Sequence, residues 1–86
     1  MVGIGYASEM QGRLIAAARS LLGWSQDELA RRANIARKTL VGIERETGNP
    51  KRASEHAVVE VLEGEGVRFE ETSERITVSL VRRPKV

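Results

Sequence analysis

The stretch "GWSQDELARRANIARKTLVGIERETGNP", Gly23 to Pro50, decides how this chain folds. Ser25, followed three positions later by Glu28, forms a capping box in which the serine side chain satisfies a backbone N–H at a helix start. Trp24, just before the cap, can staple onto Leu29. The spacing predicts a short helix with Leu29, Ala30 and Ala33 on one face and Arg31 and Arg32 on the other. At about nine residues such a helix persists only when packed. Asn34 breaks the pattern, because asparagine enters the left-handed region more readily than most non-glycine residues. Ile35 plugs inward, and another helix is predicted from Arg37 to about Glu46 with Leu40 and Ile43 on its buried face. The unit is a helix, a tight turn and a second helix. Gly48, Asn49 and Pro50 close it with strong turn chemistry.

Working outward, Ser8 can cap an earlier helix whose apolar stripe is Met10, Leu14, Ile15, Ala18, Leu21 and Leu22, ended by Gly23. Ala53 to Glu65 reads as a helix with Ala57, Val58, Val61 and Leu62 inside, terminated by Gly64 and Gly66. The period then changes. "VRFEE" and "RITVSLV" alternate apolar with polar residues, which predicts a β-hairpin pairing Val67–Glu70 with Arg75–Val81. A lone hairpin is marginal in water, so this one either covers the helices or pairs with a second chain. Ile76, Val78 and Leu80 share one face of its second strand and are the candidate dimerisation residues. The expected fold is mainly α: a bundle of four to five helices over residues 1–66, and a C-terminal hairpin over 67–86 as part of one compact unit.

Composition narrows the function. Tyr6, Trp24 and Phe69 are the only aromatics among 86 residues, so the core is aliphatic. A chain this small buries only roughly 60% of its unfolded surface. Without cysteine there is no disulfide framework and no thiolate metal site, which fits a reducing compartment. No apolar run approaches the roughly 20 residues of a membrane span. The N-terminus lacks a basic-then-apolar signal pattern. A cytoplasmic protein is expected. Residues 1–52 carry nine Lys or Arg against five Asp or Glu, and residues 53–86 five against seven. A basic zone beside an acidic one points to a polyanion, nucleic acid before membrane. His56 is the single histidine, and no nucleophile, nucleotide or metal motif accompanies it. Neither an enzyme nor a cofactor is expected.

The segment Trp24–Pro50 resembles the helix-turn-helix of the Xre family, which includes phage repressors and Cro-like regulators. The likeness is carried by Ser25-Gln26, Leu29-Ala30, Asn34-Ile35-Ala36, Leu40-x-x-Ile43-Glu44 and Pro50, and it spans about Leu14 to Leu62. It implies a repressor-like bundle, an Arg19–Glu44 ion pair clamping it, and a glutamine, Gln26, on a DNA phosphate. Departures are Ala36 in place of the usual Ser/Thr cap, Gly42 where relatives carry a polar residue, and Glu46 in place of a common glycine. Glu46 would add negative charge close to the phosphates.

The resemblance implies a sequence-specific double-stranded DNA-binding transcription regulator of prokaryotic or phage type, acting as a homodimer on a palindrome. A helix of about 10–12 Å diameter fits the major groove, where its N-terminal half meets base edges. On the third helix the exposed positions are Arg37, Lys38, Val41 and Arg45. Arg37 is the candidate for guanine, with Lys38 second and Val41 facing a thymine methyl. Arg45, Lys51 and Arg52 are placed at the far edge on phosphates. Arg31 and Arg32 have no assigned side. Two other functions fit the same residues: an antitoxin whose acidic C-terminal third engages a toxin, or a protein-interaction module or antiactivator, favoured by Ala36, Gly42 and Glu46. Contact with polymerase would be a further protein partnership.

Overall fold

The computed structural model describes residues 11–82. Four helices, α1 (Gln11–Leu22), α2 (Gln26–Ala33), α3 (Arg37–Arg45) and α4 (Arg52–Gly64), precede two strands, β1 (Val67–Glu71) and β2 (Ile76–Leu80). Ser8 and Met10, expected in the first helix, lie outside the described residues.

Three helices end by one device. Gly23 at φ 74°, Asn34 at φ 58° and Glu46 at φ 60° each take the left-handed conformation just past a helix. The paired hydrogen bonds of a Schellman motif follow each time. Gly23 N–H donates to the Ser20 carbonyl and Trp24 N–H to that of Arg19, at 3.0 and 3.1 Å. Asn34 and Ile35 donate to Arg31 and Ala30, and Glu46 and Thr47 to Ile43 and Gly42. Helix starts are less uniform. Ser25 Oγ accepts from Glu28 N–H at 3.1 Å, the forward half of the capping box. The reciprocal half is not made, because the Glu28 carboxylate is taken by Arg31 and Arg32. Ala36 at the start of α3 and Lys51 at the start of α4 provide no side-chain cap.

The helices close around Leu14, Ile15, Ala18, Leu29, Ala30, Ala33, Leu40, Ile43, Val58 and Leu62. A fully buried Leu or Ile side chain contributes roughly 1.5–3 kcal/mol, which holds α2 and α3 despite their eight and nine residues. Leu21, on the same apolar stripe but in the last turn of α1, is instead 47% exposed. Gly12 is the close-approach point between α1 and α3: a Cβ there would lie 2.5 Å from the Ile43 carbonyl oxygen and 2.6 Å from that of Glu44.

The hairpin joins the same core. Val67 pairs with Leu80, Phe69 with Val78 and Glu71 with Ile76 on one face, and Arg68 with Ser79 and Glu70 with Thr77 on the other. Val67 and Phe69 are buried among the helical residues, while Ile76, Val78 and Leu80 are partly buried against them. β1 lies against α4 and β2 against α1. Gly66 makes the entry possible, at φ 103°, with its carbonyl accepting from Val81 N–H at 2.9 Å. At the tip, the Thr72 hydroxyl accepts from the N–H groups of Glu74 and Arg75.

Candidate nucleic-acid interface

With Leu40, Ile43 and Glu44 turned inward, the other side of α3 is an outward stripe. At 3.6 residues per turn, Arg37, Val41, Arg45 and Lys38 share an arc of roughly 100°. Arg37, Lys38 and Arg45 are exposed and Val41 is half-buried. Lys38 and Arg45 make no ion pair or side-chain hydrogen bond among the described residues, so their charges remain available. The loop after α3 runs alongside this stripe: Lys38, Thr39 and Gly42 line a shallow groove with Thr47, Gly48, Asn49 and Pro50. Lys51 and Arg52 follow directly, both exposed.

A hydrogen-bonded chain connects the core to this surface. Glu44 Oε2 accepts from Arg19 Nε at 2.8 Å and Oε1 from Arg19 Nη2 at 3.0 Å, a bidentate pair. The side chains are 19% and 5% exposed respectively. The hydrogen bond to Glu44 holds the Arg19 guanidinium still further above its usual range, against the opposing pull of burial. Arg19 Nη1 also donates to the Trp24 carbonyl at 3.1 Å, which ties α1 to the start of α2. Glu44 Oε1 accepts a further bond, from Gln26 Nε2 at 3.1 Å. Gln26, at the first position of α2, is thus fixed in orientation by the buried pair. Its own Oε1 accepts from Arg37 Nη2 at 3.4 Å. Arg37 Nε meets Asp27 Oδ1 at 3.2 Å.

The remaining charges separate from this network. Arg31 and Arg32 both engage Glu28, and the Arg32 guanidinium stacks 4.2 Å over the Trp24 ring. Their hydrogen bonds, Arg31 first and Arg32 second, hold the Glu28 carboxyl below its ordinary value. His56 pairs with Glu60 one turn along α4, both exposed. Glu46 is engaged within the protein. The left-handed backbone at residue 46 turns its carboxylate toward α1, where Oε2 accepts from Gly12 N–H at 3.0 Å. Gly42 faces the following loop, since a Cβ there would stand 3.3 Å from the Thr47 carbonyl oxygen.

Sequence reasoning misses Asp27, the link from Gln26 to Glu44, and the role of Gly12. A glycine interrupting the first helix is the one visible signal among these, marking a place where another backbone approaches. No helix among the described residues is long and apolar enough to cross a membrane.

Residues 15–53 match the family model described as helix-turn-helix. Among solved structures, the wild-type restriction-modification controller protein C.Esp1396I is similar to this chain, with a TM-score of 0.58 and 27% sequence identity. That alignment covers 70% of this chain and 79% of the controller. A tyrosine-to-alanine mutant of the same controller gives a TM-score of 0.58 at 27% identity, covering 69% and 77% of the two chains. No curated protein sequence matches.

Proposed function

We infer, from a chain whose residues 15–53 belong to the Xre-type helix-turn-helix family, a DNA-binding transcription regulator that reads double-stranded DNA with α3 in the major groove. The observation that carries this is the outward stripe of Arg37, Lys38, Val41 and Arg45, flanked by a Gln26 side chain locked to the buried Glu44. An anchored amide at a helix start, backed by backbone N–H groups, suits a phosphate oxygen. Arg37, in the first turn of α3, reaches a guanine O6/N7 edge. Lys38 reads beside it, and Val41 contacts a thymine methyl. Arg45, Lys51 and Arg52 neutralise phosphates at the border. The likeness to a restriction-modification controller supports the same reading.

One such helix reads only a few base pairs, so the protein acts as a dimer on a palindrome with half-sites about 34 Å apart. The candidate dimer element is the hairpin. Its apolar face, with Ile76, Val78 and Leu80, rests on the helices, and each strand of a two-stranded sheet keeps one unpaired edge. The competing protein-docking reading loses one of its three supports, because the Glu46 carboxylate binds the start of α1.

The test is selection from a random duplex library at two salt concentrations. Enrichment of a palindrome is expected, abolished by Arg37→Ala. With Arg45, Lys51 and Arg52 of two protomers each releasing a counterion, log K against log salt should have a slope of about −5. Weak, unpatterned binding would refute the reading and leave a protein partner as the function to seek.

A further inference from the structure

Arg37 leaves α3 with one edge of its guanidinium already occupied. Nε lies 3.2 Å from Asp27 Oδ1 in an ion pair, and Nη2 donates to Gln26 Oε1 at 3.4 Å. Gln26 cannot readily yield, because its Nε2 is held by Glu44, which in turn is held by Arg19. Guanidinium is a rigid planar fork, so fixing one edge fixes the direction of the others. The end carrying Nη1 makes no hydrogen bond among the described residues, and the side chain is 62% exposed. That end presents two parallel N–H groups, the arrangement that matches guanine O6 and N7.

Asp27 is 79% exposed and Arg37 62% exposed. An ion pair this open adds little to stability. Asp27 also adjoins Gln26, the residue read as bound to a phosphate, and its carboxylate would repel that group. Both facts weigh against a purely structural role or a role in affinity for the DNA backbone.

We propose that Asp27 is a specificity-determining positioning residue: with Gln26 it grips the Nε edge of Arg37, so that the Nη1/Nη2 edge meets guanine already oriented. This rests on the reading that α3 enters the major groove. Under it, Asp27 touches no base. It lowers the number of arginine rotamers that must be frozen on binding, and it disfavours the alternatives that would accept adenine or a phosphate. Its effects on specific and non-specific binding therefore have opposite signs.

The test uses the full chain, the duplex selected from the random library, the same duplex with the Arg37-facing guanine replaced by adenine, and a random duplex. The quantity read is the ratio of affinities for the guanine and adenine duplexes. Asp27→Ala should reduce that ratio by about fivefold, the lower end of what a bidentate contact contributes, without weakening binding to random DNA. Asp27→Glu, which keeps the carboxylate charge, should retain more of the ratio than Asp27→Ala does. In an Arg37→Ala background, Asp27→Ala should change the ratio no further. In the free protein, the Arg37 Nε–H resonance should shift on Asp27→Ala as the neighbouring carboxylate is lost.

An unchanged ratio in folded Asp27→Ala, or an equal loss with Arg37 already removed, overturns the proposal while leaving α3 as the reading helix. A wild-type protein with no guanine preference overturns the reading, and the proposal with it. The resonance shift then still reports whether the pair forms.

Discussion

Replacing Arg19 by alanine strands a carboxylate. Glu44 is 5% exposed and takes two charge-assisted hydrogen bonds from that arginine, leaving only the Gln26 amide when it is gone. Each such bond contributes about 1.5–3 kcal/mol, and some water can enter at the partly open arginine position, so the loss should be about 3–4 kcal/mol. Glu44→Ala should cost less, about 1–2 kcal/mol, because the surviving guanidinium keeps the Trp24 carbonyl and, at 19% exposure, is open to water where it stands. The double variant Arg19→Met/Glu44→Leu removes both charges and should fall within about 1 kcal/mol of the wild type. Urea denaturation followed by far-UV circular dichroism and Trp24 fluorescence reads all three. With a slope of about 1 kcal/mol per molar urea for so small a chain, the Arg19→Ala midpoint should drop by about 3 M. A loss under about 1 kcal/mol for Arg19→Ala would mean the pair behaves as an ordinary surface bridge. So would a double variant whose cost is the sum of the two singles.

Gly12→Ala should destabilise by about 2 kcal/mol, because its Cβ meets two α3 carbonyl oxygens that cannot rotate away; thermal melts would show it, and an unchanged melting temperature would disprove the close approach. Ala36→Ser should gain about 1 kcal/mol by capping α3, and the melting temperature should rise by about 4–8 °C. Glu28 supports stability above the ordinary glutamate pKa, and that contribution is lost as pH falls through its depressed folded value. The difference in melting temperature between wild type and Glu28→Gln should therefore shrink on acidification; a difference that grew instead would reverse the assigned sign.

The elements were legible because their signals are local. Ser25, Asn34 and Gly66 act on their immediate neighbours, and the alternation in "RITVSLV" sets β2 without reference to distant residues. The outward stripe of α3 follows equally from periodicity once Leu40 and Ile43 are inside. The wiring behind that stripe did not follow. Gln26 meets Glu44 across 18 positions and Arg37 meets Asp27 across a turn, contacts that depend on how two helices cross rather than on either one's pattern. The Arg19–Glu44 pair, 25 positions apart, comes from a family likeness and from no local rule. Glu46 shows the converse failure. Its charge alone suggests a neighbour of phosphate and gives no sign of the bond its carboxylate accepts from Gly12 N–H at the start of α1.

The two joints flanking α2 are built alike. Gly23-Trp24-Ser25 and Asn34-Ile35-Ala36 each place a left-handed residue, then a half-buried apolar one, then an extended N-cap. The angle at which α3 leaves α2 is thereby set mainly by backbone chirality over a few bonds, and only secondarily by the side chains packed beneath. In evolutionary terms this separates two rates of change. The aliphatic core can drift through volume-conserving exchanges while the reading helix keeps its heading. Positions 23 and 34 are confined to the few residues that accept the left-handed region.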